Sequence, residues 1–152
     1  MAVLVIDSSI TAAWCFPDER TSYTQAVLYA IGKPIEAVAP RLWAYEIRNS
    51  VLMGLRRKRI DQTHAEEFLD TIRSLPVRLS DPVSYEAVFA LADRHRLTVY
   101  DAAYLDLALR EGLPLASLDK INTSCYGIRH RDIPAVTSWC SSNLTNGRLS
   151  GD

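Results

Sequence analysis

Glycine is scarce in this chain, six in 152 residues, and none of it forms the glycine-rich turn of a P-loop or a dinucleotide fingerprint. Histidine is equally thin. His64 and His95 each stand alone in helical sequence and His130 lies between two arginines, so none has metal-ligand spacing and all three read as surface or capping residues. The three cysteines, Cys15, Cys125 and Cys140, are an odd number with no pair at metal spacing. That fits a reducing cytosol better than a secreted disulfide scaffold, so a cytoplasmic protein is expected. Long apolar runs are missing too. Val3 to Ile6 is interrupted by Asp7 and has no basic segment before it, which is too short for a signal peptide or a membrane span. Charge of one sign is also lacking: 17 basic residues against 18 acidic argue neither for nor against a nucleic-acid partner. There is no internal repeat, and no serine–histidine or cysteine–histidine pairing offers a nucleophile.

What the chain does have is a core. With 48% hydrophobic residues it reads as one globular domain in which short apolar strands alternate with amphipathic helices, an α/β fold with a mostly parallel sheet covered by helices. Ala2 to Ile6 is continuous and β-branched, as strands buried on both faces are. A short helix follows over Ile10 to Cys15, another over about Thr21 to Ile31, and a weak strand over Glu36 to Ala39. Arg41 to Arg57 and Gln62 to Leu75 are the next helices, the second capped by Asp61 with Ala65, Phe68, Leu69 and Ile72 facing inward. Val77 to Leu79 is a brief strand. Pro82 near a helix start predicts a helix whose inner side carries Val83, Ala87, Ala90 and Leu91. The stretch LTVYDAAYLDLALREGLPLASLDK, Leu97 to Lys120, contains a helix stopped by Gly112 and a short buried strand over Leu115 to Leu118. From Ser141 to Asp152 a disordered tail is expected.

Four acids stand out by context. Asp7 and Asp119 follow strands directly. Asp101 heads an inner face completed by Leu105, Ala108 and Leu109, whereas Asp106 falls opposite, four residues before Arg110. Glu46 shares a stripe with Leu42, Asn49 and Met53, beside the apolar stripe of Trp43, Ile47, Val51 and Leu55. Three of the acids have a bland reading: Asp7 and Asp101 are good helix N-caps, and Glu46 sits at the margin of an amphipathic helix. If both acid-bearing strands are central and parallel, their carboxyl ends share the edge where open α/β sheets place ligands. Four carboxylates gathered there would repel unless a hard divalent cation held them, and oxygen ligands without Cys or His suit Mg²⁺ or Mn²⁺. Such ions polarise phosphates and activate water, in pairs roughly 3.5–4 Å apart where two are used. The basic run Arg56, Arg57, Lys58, Arg59 either contacts a phosphate backbone or ends a helix in solvent.

The ordered set Val5-Ile6-Asp7-Ser8-Ser9, Glu46-Ile47-Arg48-Asn49, Tyr100-Asp101-Ala102-Ala103-Tyr104 and Leu115-Ala116-Ser117-Leu118-Asp119 resembles the PIN-domain ribonucleases, and among them the VapC-type toxins of toxin–antitoxin pairs. The resemblance covers about residues 1 to 121. It implies a PIN-like three-layer fold with four to five short strands, and Asp7, Glu46, Asp101 and Asp119 as ligands of Mg²⁺ or Mn²⁺. It further implies a metal-activated water that cuts RNA to leave a 5′-phosphate and a 3′-hydroxyl. Ser9 and Ser117 match hydroxyl positions that orient ligands or water, and Asn49 is placed to support Glu46. A homodimer and a cognate VapB-like antitoxin are the implied partners. A PIN fold that binds RNA or a partner without cutting is the alternative. A phosphatase of the haloacid-dehalogenase type is set aside, because it needs a second Asp where Ser9 stands. After Ile121 the chain departs from the family, which normally adds a short helix and a last apolar strand. Residues 122–152 form an atypical polar segment with only Ala135-Val136 as a weak strand.

Overall fold

A computed structural model of the chain describes residues 2–32 and 35–118. The expectations for Asp119, for Ala135-Val136 and for residues 122–152 lie outside the described residues. Within them, strand β1 (Ala2–Ile6) leads to α1 (Ser8–Cys15), a 3₁₀ turn (Pro17–Glu19) and α2 (Ser22–Ala30). Strand β2 (Ile35–Pro40) is followed by α3 (Leu42–Arg56) and α4 (Gln62–Ser74), and β3 (Val77–Ser80) by α5 (Tyr85–His95), α6 (Val99–Glu111) and β4 (Leu115–Ala116). This is the expected α/β architecture, with four strands.

The sheet runs β3-β2-β1-β4 and every pairing is parallel. Parallel neighbours require helical crossovers, which supply the covering layers. β1 and β2 are accordingly apolar on both faces, with Leu4, Val5, Ile6, Ala37, Val38 and Ala39 all essentially sealed from solvent. The chain leaves β1 toward β2 and β3 on one side and returns with β4 on the other, in register Val5↔Leu115 and Ile6↔Ala116. The crevice beyond the carboxyl ends of β1 and β4 is therefore the topological switch point, where open α/β sheets bind ligands.

The main core joins the sheet to α1, α3, α4 and one face of α6, with Trp14, Trp43, Ile47, Phe68 and Tyr104 among its larger members. A smaller cluster of Val88, Ala92 and Ala102 seals α5 against α6. The helix expected to start near Pro82 begins later: Ser84 is the N-cap of α5, its hydroxyl accepting from the Ala87 amide. The inner face is thereby turned to Val88, Leu91 and Ala92, while Val83, Ala87 and Ala90 are exposed.

Helices α5 and α6 end alike and differ in one residue. In both, crossed backbone bonds close the last turn: Leu97 N–H to Ala92 C=O and Arg96 N–H to Asp93 C=O in α5, Leu113 N–H to Ala108 C=O and Gly112 N–H to Leu109 C=O in α6. The pattern needs a left-handed residue, and glycine meets it without cost at Gly112 (φ 63). In α5 the same place is held by Arg96 (φ 54). Arg96→Gly is therefore expected to stabilise the protein by about 0.5–1 kcal/mol, read as a higher denaturant midpoint with an unchanged slope. A lower midpoint would show that the Arg96 side chain contributes more than its backbone costs.

Candidate active site at the β1–β4 switch point

Asp7 is the first residue past β1 and is 2% exposed. Its amide donates to the Ala116 carbonyl at 3.0 Å, continuing the β1–β4 ladder by one residue. It occupies the N-cap position of α1, but its carboxylate makes no capping bond, so capping does not explain the acid. The carboxylate is instead collared by hydroxyls: Ser117 donates to one oxygen at 2.6 Å, Ser9 to the same oxygen at 3.1 Å, and Ser8 to the other at 3.3 Å. Ser9 Oγ also accepts from the Leu118 amide at 3.0 Å and lies 3.5 Å from Ser117 Oγ, tying the start of α1 to the exit of β4. Below it, Thr11 donates to the Asp7 carbonyl and accepts from the Trp43 indole of α3, both bonds buried.

Glu46 is half-buried on α3 and accepts a hydrogen bond from the Tyr104 hydroxyl of α6. Burial pushes its carboxyl above the usual carboxylate range; the Tyr104 bond works against that, and the negative charges of Asp7 and Asp101 add to it. Three of the four acids are thus brought into one electrostatic neighbourhood. Asp101 is half-buried at the third position of α6. It does not cap its own helix: Thr98 does, accepting from the Asp101 amide at 3.0 Å while donating to the Asp101 carboxylate at 2.8 Å. Leu105 and Ala108 lie inside on that face as expected, whereas Leu109 is 45% exposed. Asp119 lies outside the described residues.

The other residues singled out in the sequence lie outside this hydroxyl-and-carboxylate cluster. Asn49 is exposed, with no hydrogen bond to Glu46 among the described residues. Arg56, Arg57 and Lys58 are exposed. Arg59 closes a local clamp instead, pairing with Asp18 at 3.0 Å and Glu19 at 2.7 Å and lying 4.0 Å over the Phe16 ring. His64 is a tie between α4 and α1, its Nε2 2.7 Å from the Cys15 carbonyl. Ser8 and Tyr104 are the site residues that sequence reading missed. Tyr104 was legible: it stands at i+3 from Asp101, on the face whose i+4 and i+7 positions had been counted.

Divalent metal is what the resemblance to PIN-domain ribonucleases implies, and the donor set fits it in kind. The acids supply oxygen only, and Asp7 is buried among hydroxyl donors with no cationic partner among the described residues. These residues alone do not complete a site: none of them forms a group of three or more His, Cys, Asp or Glu side chains that could hold an ion.

Comparison with known proteins agrees with this geometry. A PIN domain family model matches residues 4–122. Ribonuclease VapC3 of Pyrobaculum aerophilum is 36% identical over 121 residues, spanning 77% of this chain and 89% of that relative. Among solved structures, PAE2754 from Pyrobaculum aerophilum superposes with a TM-score of 0.69 at 22% identity, covering 94% of this chain and all of that one. VapC20 of Mycobacterium tuberculosis, described as a sarcin–ricin loop cleaving toxin, superposes with a TM-score of 0.62 at 17% identity, over 82% and 95% of the two chains. The acid-bearing switch point, the parallel sheet and the matched residues 4–122 together make the chain a member of the PIN domain family, alongside the VapC ribonucleases.

Proposed function

We propose that the chain is a metal-dependent endoribonuclease acting in the cytoplasm as the toxin of a toxin–antitoxin pair. One observation carries the reading: a buried, hydroxyl-collared carboxylate at the switch point, facing a second carboxyl whose ionisation it opposes. In this proposal Asp7, Glu46, Asp101 and Asp119 hold Mg²⁺ or Mn²⁺, and residues 1–121 form the nuclease unit, with 122–152 a separate polar segment. A bound ion supplies polarisation of the RNA phosphate and activation of water. The chain's own residues do the rest. Ser9 and Ser117 aim the Asp7 carboxylate, and Thr98 fixes Asp101 at the head of α6. Asn49, one turn from Glu46, supports that acid, and the exposed Arg56, Arg57 and Lys58 contact the RNA backbone. Arg59, held in its clamp, contributes to that region's shape. A VapB-like antitoxin and a second copy of the chain are the proposed protein partners, on the strength of the VapC relatives.

A silent RNA- or partner-binding module is the second reading, against which stand the four acids present in order, since a pure binder has no need to keep them together. Labelled single-stranded and stem-loop RNAs, incubated with the protein in Mg²⁺, in Mn²⁺ and in EDTA, separate the two. Cleavage in either metal that yields 5′-phosphate ends, stops in EDTA and fails in Asp101→Asn is the expected result. RNA retention without cleavage in any metal would favour the binding module, and cleavage that persists in EDTA would remove the metal mechanism.

A further inference from the structure

The Tyr104 hydroxyl reaches the site from α6. Its ring is 1% exposed and packs in the main core. Its hydroxyl donates to Glu46 Oε2, across 58 residues of sequence and between two helices. A buried phenol needs an acceptor, and that need alone would account for the bond if Glu46 were idle. Glu46 carries a longer side chain than the two aspartates. Asp7 has three hydroxyl donors and Asp101 accepts from Thr98, whereas Glu46, on α3, is held by Tyr104 of α6, with Ser8 as a second hydroxyl partner. We propose that Tyr104 is a positioning residue for catalysis: by holding one oxygen of Glu46, it sets the carboxylate toward Asp7 for a shared divalent cation. This rests on the metal site proposed above.

The phenol suits that task. Its ring is fixed by packing, so its bond ties one Glu46 oxygen to the core, beside the second hydroxyl partner Ser8. Burial, and next the bond and charge of Glu46, hold its proton well above the usual phenol range, so it remains a donor throughout neutral pH. Partners that orient metal ligands in this way are worth about 10–100-fold in metal affinity. Tyr104→Phe keeps the buried ring and removes only the donor.

Mn²⁺ affinity of the full chain, read from the free-ion resonance signal during titration, provides the test, alongside Tyr104→Phe and Asp7→Asn. Tyr104→Phe is expected to weaken Mn²⁺ binding about 10–100-fold while the metal-free protein melts close to the parent. Affinity within about twofold of the parent would reduce the bond to a satisfied core hydroxyl and overturn the inference. A parent chain with no saturable Mn²⁺ binding, or Asp7→Asn binding as tightly as the parent, would overturn the metal site and this inference with it. Should Tyr104→Phe not fold, the parent's tyrosine difference spectrum decides. Saturating Mn²⁺ must perturb it through the shared Glu46 carboxylate, and in Glu46→Gln that perturbation must vanish; an unperturbed parent spectrum overturns the proposal.

Discussion

Asp7→Asn is expected to reduce RNA cleavage by on the order of 10²–10³-fold or more, while the metal-free protein keeps its stability to within about 1 kcal/mol. The activity loss follows from removing the central ligand of a site whose metal supplies several kcal/mol of transition-state stabilisation, at 1.36 kcal/mol per decade of rate. The stability result is a near-cancellation. Asn is isosteric, and the hydroxyls of Ser8, Ser9 and Ser117 can rotate to pair with it, although bonds to a neutral amide are weaker than bonds to a carboxylate. Against that loss stands relief: a charge at a 2% exposed position no longer has to be desolvated and no longer opposes ionisation of Glu46. Metal linkage separates the two effects. Mn²⁺ at about 100 times its dissociation constant should stabilise the parent by about 2.7 kcal/mol and the variant by almost nothing. A variant that unfolds would assign Asp7 a structural role, and one that cleaves like the parent would remove it from the site.

The bland reading of Asp7 as a helix cap failed for a reason the sequence could not display. Its place was legible, because a β-branched run ending in an acid marks a strand end in any parallel sheet. Whether the carboxylate turned back to cap α1 or forward to β4 depended on strand order, and that order places Ser117, 110 residues away, within 2.6 Å. Asp101 shows the converse. Leu105 and Ala108 share its buried face, but Thr98 lay three residues earlier and took the cap, its hydroxyl donating in turn to the Asp101 carboxylate. Periodicity located Glu46 at the margin of a buried stripe and could go no further, since the partner that makes it informative comes from α6. The basic run was the least legible of all. Arg59 looks like its three neighbours in sequence, and only the folding of the 3₁₀ turn against the end of α3 brings Asp18 and Glu19 to it.

That same joint sets the largest stability effect expected from a single small substitution. Gly54→Ala should destabilise the protein by about 1–2 kcal/mol, although alanine is the better helix former by about 1 kcal/mol. Gly54 lies on the inner face of α3, with Trp43, Ile47 and Val51. A Cβ there would stand 2.6 Å from Phe16 Cε1 and 2.8 Å from Phe16 Cζ, with Ile60 Cδ1 at 3.4 Å. An aromatic ring tip can often yield, but this one is confined. Phe16 is 4% exposed, and its face is covered at 4.0 Å by the Arg59 guanidinium, itself fixed by Asp18 and Glu19. Moving the ring by the ångström that the methyl needs therefore disturbs the cation–π contact and the clamp together. Overpacking of this kind costs about 1–3 kcal/mol, which outweighs the propensity gain. The mechanism has a signature of its own. In a double-mutant cycle with Phe16→Leu, which trades the rigid ring for a shorter side chain, the double variant should be less destabilised than the two single effects added together. Strict additivity, or a Gly54→Ala variant more stable than the parent, would show that the ring has room to move and that helix propensity decides the position.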